Sequence, residues 1–451
     1  MPPRSPSAWP WPTEEARALT TTQGREDTAG RRGVLANRDF VKLWSGQTVS
    51  LVGSQVTDIA LPLAAVITLN ASAFQIGLLN VARFAPYVLV TLLAGVWFDR
   101  RRRKPTLIAA DAVRVLLIGA LPVAHLLGVL SLPWLYVVGF MAGVATVLFD
   151  VGILSYIPGL VDKDDLADAN SKMTASYSVA GIAGPGLAGF LVGALTAPVA
   201  LTVGAATYLA SAVALWWIRR PEAEPEQPAE PKSVRADIAE GLRTVVGSRI
   251  LRHLATQSAV FNLFENVMTT VFLVYAVRTL GLSPFQLGLV VGAGSVGALL
   301  GATFSGRISK RLGFGPALRL VTLLACLSPV LLLVPGDTGL FSLVVLGATL
   351  AVHGFNLAVF NVNSLTLRQT VTPARLLGRM NASYRLILYG TIPLGALLAG
   401  SLASVFGLRT ALAVGVAGIA LPAVWITFSP VYRLREMPQG PVEADQPTSV
   451  A

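Results

Sequence analysis

Phe74-Gln75-Ile76-Gly77 returns as Phe285-Gln286-Leu287-Gly288, 211 positions later (285 against 74). The same offset carries Gly95 to Gly306, Phe149-Asp150 to Phe360-Asn361, and Asn170 to Asn381. One tetrapeptide says little, but matches strung along most of each copy at a single offset mark a tandem duplication. Both copies are built mainly of long apolar runs, so the duplicated unit is a set of membrane-spanning helices.

Composition points the same way. Hydrophobic residues make up 53% of the 451 positions and charged residues 13%, against about 25% charge in soluble domains. The net charge of +11 is not a nucleic-acid signal, because the basic residues cluster at short breaks between apolar runs and form no continuous face. The single cysteine, Cys326, lies in an apolar run, which excludes an intrachain disulfide and argues against cysteine-based metal sites and thiol redox pairs. No cofactor or metal is expected.

Residues 1–36, rich in Pro, Thr, Gly and charge, hold no apolar core of signal-peptide type and read as a disordered cytoplasmic tail. Residues 37–218 and 248–430 each contain six apolar runs able to cross about 30 Å of hydrocarbon. Between them, 219–247 begins with the Pro- and Glu-rich stretch Arg219 to Asp237 and reads as a flexible cytoplasmic linker, and 431–451 as a C-terminal cytoplasmic tail. The expected fold is all-α: twelve transmembrane helices in two six-helix, pseudo-symmetric halves around a central cavity, in the lipid bilayer of the plasma membrane and as a monomer.

Orientation follows from the loops. One set carries Arg31, Arg32, Arg38, the run Arg100 to Lys104, Arg219, Arg220, Arg307, Lys310, Arg311, Arg375, Arg379, Arg433 and Arg435, whereas the other set has little beyond Arg278 and Arg409. The positive-inside rule puts the first set, both termini and the linker in the cytoplasm.

The loop after the second run reads Gly95-Val96-Trp97-Phe98-Asp99-Arg100-Arg101-Arg102-Arg103-Lys104. It resembles the signature of the major facilitator superfamily, in which Gly, three residues, Asp-Arg and further basic residues join spans two and three. Trp97 stands where Leu is usual and Arg102 where Gly is usual; the second copy, Gly306 to Arg311, has Lys310 at the Asp position. The resemblance implies a cytoplasmic latch built on Gly95, Asp99, Arg100 and Arg103. Gly184, Pro185 and Gly189 in the fifth run are similar to the Gly-Pro motif of the superfamily's drug:proton antiporters, with Ala188 in place of a glycine, which implies export. Three stretches resemble the macrolide-efflux and enterobactin-export branch: Asn37 to Gly46, Ala60-Leu61-Pro62 and Leu107 to Arg114.

A charge at the bilayer centre costs at least about 2.5–3.5 kcal/mol, so ionisable residues within the apolar runs mark chemistry. Asp58 lies 11 residues before the outer end of the first run (position 69) and Arg83 lies 9 residues after the outer start of the second (position 74). Similar depth on successive antiparallel helices makes them candidate partners, with Asp58 the candidate proton-linked carboxylate. The same comparison sets Arg114 level with Asp150 toward the cytoplasm, as further members of the latch, with Asp111 one turn from Arg114. Glu265, flanked by Asn262 and Asn266, is a second candidate for proton or cation handling. Arg385 is a basic residue able to attract an anionic substrate or to neutralise Glu265. His353 and Asn356 are compatible with a cavity wall, and Tyr156, Tyr177, Phe261, Phe264, Tyr384 and Tyr389 are aromatics that could line a lipophilic pocket.

No phosphate loop, HExxH or nucleophile–base set is present, so no enzyme chemistry is expected and transport would be secondary. The reading is proton-coupled export of an amphipathic small molecule such as a drug, macrolide or siderophore. Uptake of a metabolite and a transporter-like receptor that moves nothing are the alternatives.

Overall fold

The protein's structure, a computed structural model, describes residues 33–91, 94, 97, 98, 101–222, 234–425 and 429–434. Among them every regular element is helical. The main helices are α1 (Arg38–Leu63, continued by a π turn, Ala64–Thr68), α2 (Ala73–Leu89), α3 (Arg103–Leu126), α4 (Leu132–Leu160), α5 (Leu166–Leu195) and α6 (Ala197–Trp216). After them come α7 (Val234–Gly247), α8 (Arg249–Arg278), α9 (Pro284–Leu312), α10 (Phe314–Leu327, continued as a 3-10 turn, Ser328–Leu333), α11 (Leu340–Val371), α12 (Leu377–Phe406) and α13 (Leu408–Trp425). Ten of these helices are long and apolar enough to cross a bilayer; α2 and α13 are shorter apolar helices.

The repeated tetrapeptide is the first turn of α2 and of α9, and each copy closes a capping box. Gln75 N donates to Ser72 Oγ at 3.2 Å while Ser72 N donates to Gln75 Oε1 at 2.7 Å. The bonds of Ser283 and Gln286 have the same pattern, at 3.2 and 2.9 Å. Both satisfy amides that a helix start leaves without partners. The joints repeat too. Asn70 (φ 50°) before α2 matches Gly281 (φ 73°) before α9, and Thr196 (φ 85°) between α5 and α6 matches Gly407 (φ 81°) between α12 and α13.

Helices before residue 220 and after residue 234 form two groups. In the first, α1 packs on α5 and α6, α3 on α4 and α6, and α2 on α4; in the second, α8 packs on α12 and α13, α9 on α11, and α10 on α11 and α13. The groups meet along two seams, α2 with α12 and α5 with α9, and glycines permit both. A Cβ on Gly77 would run into the Ala396 carbonyl oxygen, and one on Gly288 would lie 2.7 Å from the Pro185 oxygen. The seam glycines Gly77, Gly288, Gly189 and Gly400 stand in register with the 211-residue offset, and small residues let helix backbones approach this closely. These crossings lie toward the end that carries Asn70 and Gly281, where Arg278 Nη2 also donates to the Ala71 carbonyl at 2.6 Å. The opposite end carries the basic loops.

The structure differs from the sequence expectation in two places outside the spans. Part of the expected linker, 234–247, is the helix α7, which packs against α12 with Val245 buried and Gly241 against the Arg379 backbone. Glu240 forms ion pairs with Arg379 and, at 3.5 Å, with Arg375. The expected C-terminal tail begins later than 431, since Val431 and Tyr432 are buried and Gly315 N donates to the Leu434 carbonyl at 2.8 Å. Residues 1–32, 223–233 and 435–451, the rest of the expected tails and linker, lie outside the described residues.

Candidate functional site

A cavity of about 250 Å³ lies within the first group, walled by α1, α2, α3, α4, α5 and α6. Asp58 and Arg83 form an ion pair on its wall, as the depth comparison expects. A second guanidinium nitrogen of Arg83 donates to the Asp58 carbonyl at 3.4 Å, so Arg83 grips both the side chain and the backbone of α1. Arg83 is largely covered whereas the Asp58 carboxylate is 53% exposed, which leaves the acid facing the cavity and the base supporting it.

Arg114 and Asp150 line this same cavity, which departs from their expected place in a latch. Arg114 is buried and forms its ion pair with Asp111, one turn away on α3, rather than with Asp150. Its guanidinium is held between the rings of Phe149 and Tyr208, at 4.3 and 4.5 Å from their centres, a cation–π arrangement that helps offset its desolvation. Asp150 instead accepts a hydrogen bond from the Tyr87 hydroxyl at 3.1 Å. The Tyr87 ring in turn packs on Tyr389 of α12 with centres 5.3 Å apart. Arg385 is exposed on α12 and does not line this cavity. The cavity wall therefore holds the Asp58–Arg83 pair, Arg114 with its partner Asp111 behind it, and the further carboxylate of Asp150, which Tyr87 links to the second group.

In the second group the Glu265 carboxylate is 3.2 Å from His353 Nε2, and His353 Nδ1 is 2.9 Å from the Ala325 carbonyl. That second contact fixes a proton on Nδ1, because a carbonyl only accepts. Phe261 stacks on the imidazole at 6.0 Å. The partner of Glu265 is thus His353. The amide nitrogens of Asn262, Asn266 and Asn356 donate to carbonyls one turn back on their own helices, those of Ser258, Asn262 and Val352.

Of the expected latch, Gly95, Asp99 and Arg100 lie outside the described residues. Arg103 starts α3, and its amide and that of Lys104 donate to the two Glu222 carboxylate oxygens at 2.7 and 3.0 Å. A carboxylate at a helix start meets unpaired amides and the positive end of the helix dipole. Gly184, Pro185 and Gly189 sit on packing seams: a Cβ on Gly184 would strike Gln55 of α1, and one on Gly189 would lie 2.8 Å from the Gly288 Cα.

The Tyr87–Asp150 bond, the Glu265–His353 pair and the Glu222 cap escape sequence reading. The first two join residues on helices that are not successive and the third joins the start of α3 to the segment after α6, so depth along neighbouring runs does not reveal them.

Residues 43–396 match the Major Facilitator Superfamily. The chain is 29% identical over 422 residues to the multidrug efflux pump Tap of Mycolicibacterium fortuitum, covering 91% of this chain and 98% of Tap. It is 25% identical over 364 residues to the enterobactin exporter EntS of Escherichia coli O127:H6, covering 80% and 85%. A crystal structure of a bacterial homologue of the iron transporter ferroportin in an inward-facing state superposes with TM-score 0.68 at 18% identity, covering 88% of this chain and 99% of that one. The chain belongs to the Major Facilitator Superfamily, and is a multi-pass membrane transporter of small molecules related to its efflux branch.

Proposed function

We propose that this superfamily member is a plasma-membrane exporter of an amphipathic small molecule, driven by proton antiport through alternating access of two six-helix halves. The observation that carries the reading is the Asp58–Arg83 ion pair on the wall of a polar cavity. A proton taken by Asp58 removes one charge of the pair, releases Arg83 and changes the cost of exposing or burying the site. That is a two-state change that proton and substrate could each bias.

Counting α2 and α13 as spans gives twelve, which returns both ends of the described chain to the side of the basic loops, the cytoplasm by the positive-inside rule. The glycine crossings then lie on the outer side, which fits halves packed together outward, the arrangement in which an exporter loads from the cytoplasm. The chain's relatives Tap, a multidrug efflux pump, and EntS, an enterobactin exporter, support the direction. Asp150 and Glu265 are the further carboxylates available to the cycle, and the Asp99 loop is the proposed latch.

The test uses everted vesicles, acid inside, offered a panel of fluorescent drugs and siderophores. The reading expects uptake that exceeds empty vesicles and collapses when the proton gradient is discharged; equal uptake by both across the panel would overturn export of these classes.

A further inference from the structure

The first-group cavity holds charges of both signs, but a smaller cavity of about 60 Å³ inside the second group holds one. It is walled by α8, α10, α11 and α12, and Arg368 is the one charged residue among its lining residues, which include no Asp or Glu. The Arg368 guanidinium lies 3.7 Å from the centre of the Tyr384 ring, and its Nε donates to the Ser364 carbonyl at 3.3 Å. Among the described residues it has no carboxylate partner. The N–H groups of its two terminal nitrogens remain available, and a guanidinium in a partly buried site without a counter-charge is unfavourable.

The surroundings add neutral polar groups and no counter-charge. Gln257 uses its carbonyl oxygen to accept from the Tyr432 hydroxyl at 2.7 Å and so retains its NH2 group. Ser258 and Tyr384 bond to each other at 2.7 Å. Asn262, Thr322, Asn361 and Ser364 are the other polar residues of the wall. Glu265, seven residues further along α8, is engaged with His353 and does not line this cavity.

We propose that this cavity is a binding site for a small monoanionic group, held by Arg368: the carboxylate end of an organic substrate, or a halide ion. The volume admits a group of that size and not a whole drug, and Phe261, Phe360 and Leu357 on its wall suit an apolar body joined to the anion. The proposal deepens the transport reading by assigning a negative charge to the cargo. Its test reads binding without a gradient, so either can fail alone.

The experiment is thermal unfolding of the full-length protein in detergent, titrated with sodium benzoate against neutral benzamide at constant ionic strength, and with sodium chloride against sodium sulfate. The expected result is a saturable rise in unfolding temperature with benzoate and none with benzamide, lost in Arg368→Gln and weakened but present in Arg368→Lys. A rise with chloride that Arg368→Gln abolishes identifies a halide as an occupant of the same site. If neither anion stabilises the protein, or if Arg368→Gln keeps the full shift, the proposal is overturned. Should Arg368→Gln fail to fold, Asn361→Asp places a fixed counter-charge on the cavity wall and must abolish the shift; an unchanged shift contradicts the site.

Discussion

Gly189 and Gly288 pack backbone to backbone where α5 crosses α9: a Cβ on Gly189 would lie 2.8 Å from the Gly288 Cα, and one on Gly288 would lie 2.9 Å from the Gly189 Cα. Gly186, three residues earlier on α5, has nothing within 4 Å of its Cβ position. Gly189→Ala should therefore force the seam apart and destabilise by about 1–3 kcal/mol, the usual range for overpacking, whereas Gly186→Ala should be neutral or slightly stabilising through helix propensity. Thermal unfolding of the two variants side by side checks this. Equal behaviour would mean that the seam is not a close crossing.

Thr196 adopts φ 85° and ψ 155° at the joint between α5 and α6, where the second copy has Gly407 at φ 81° and ψ 164°. A β-branched residue there is strained, at about 1–3 kcal/mol for such backbone states. Thr196→Gly should raise stability by about 1 kcal/mol, part of the released strain being offset by the greater freedom of glycine in the unfolded chain. Gly407→Thr should lower stability by a similar or larger amount. A drop in unfolding temperature on Thr196→Gly would contradict the strain argument.

Glu222 caps α3 through the amides of Arg103 and Lys104, and its side chain is only 10% exposed. Glu222→Ala should cost about 1–2 kcal/mol, as lost helix caps do, with faster hydrogen exchange confined to the first turn of α3. Unchanged exchange at those two amides would show that the cap does not form in solution.

Glu240 ties α7 to α12 through Arg375 and Arg379. Glu240→Arg should release α7 and open it to limited proteolysis, and an added Arg379→Glu should restore protection. Failure of the second change to restore it would place the docking energy in the apolar face around Val245 instead.

The duplication, the helical class and the efflux branch were legible in the sequence because they rest on patterns that survive without coordinates: an offset, the length of apolar runs and a loop motif. The Asp58–Arg83 pairing was legible for a narrower reason, that successive helices are antiparallel neighbours and depth alone orders their residues. Arg114 shows where this stops. Depth sets it level with Asp150, but helical rotation puts Asp111, three residues earlier on α3, on its own face. Glu265 found His353, 88 positions away, because that relation depends on how non-successive helices are arranged. The α7 helix was hidden by averaging: Pro and Glu dominate Arg219 to Asp237, while the apolar positions Ile238, Leu242 and Val245 repeat at helical spacing just beyond.

The central claim is that Asp58 couples the proton to the cargo. The most direct measurement compares wild type with Asp58→Asn in vesicles, using a substrate found in the panel, for uptake driven by a pH gradient and for exchange at equal pH. The account predicts that Asp58→Asn loses gradient-driven accumulation and keeps equal-pH exchange within a few-fold, since the amide removes the titrating charge and leaves the cavity. Full gradient-driven accumulation by Asp58→Asn would contradict it.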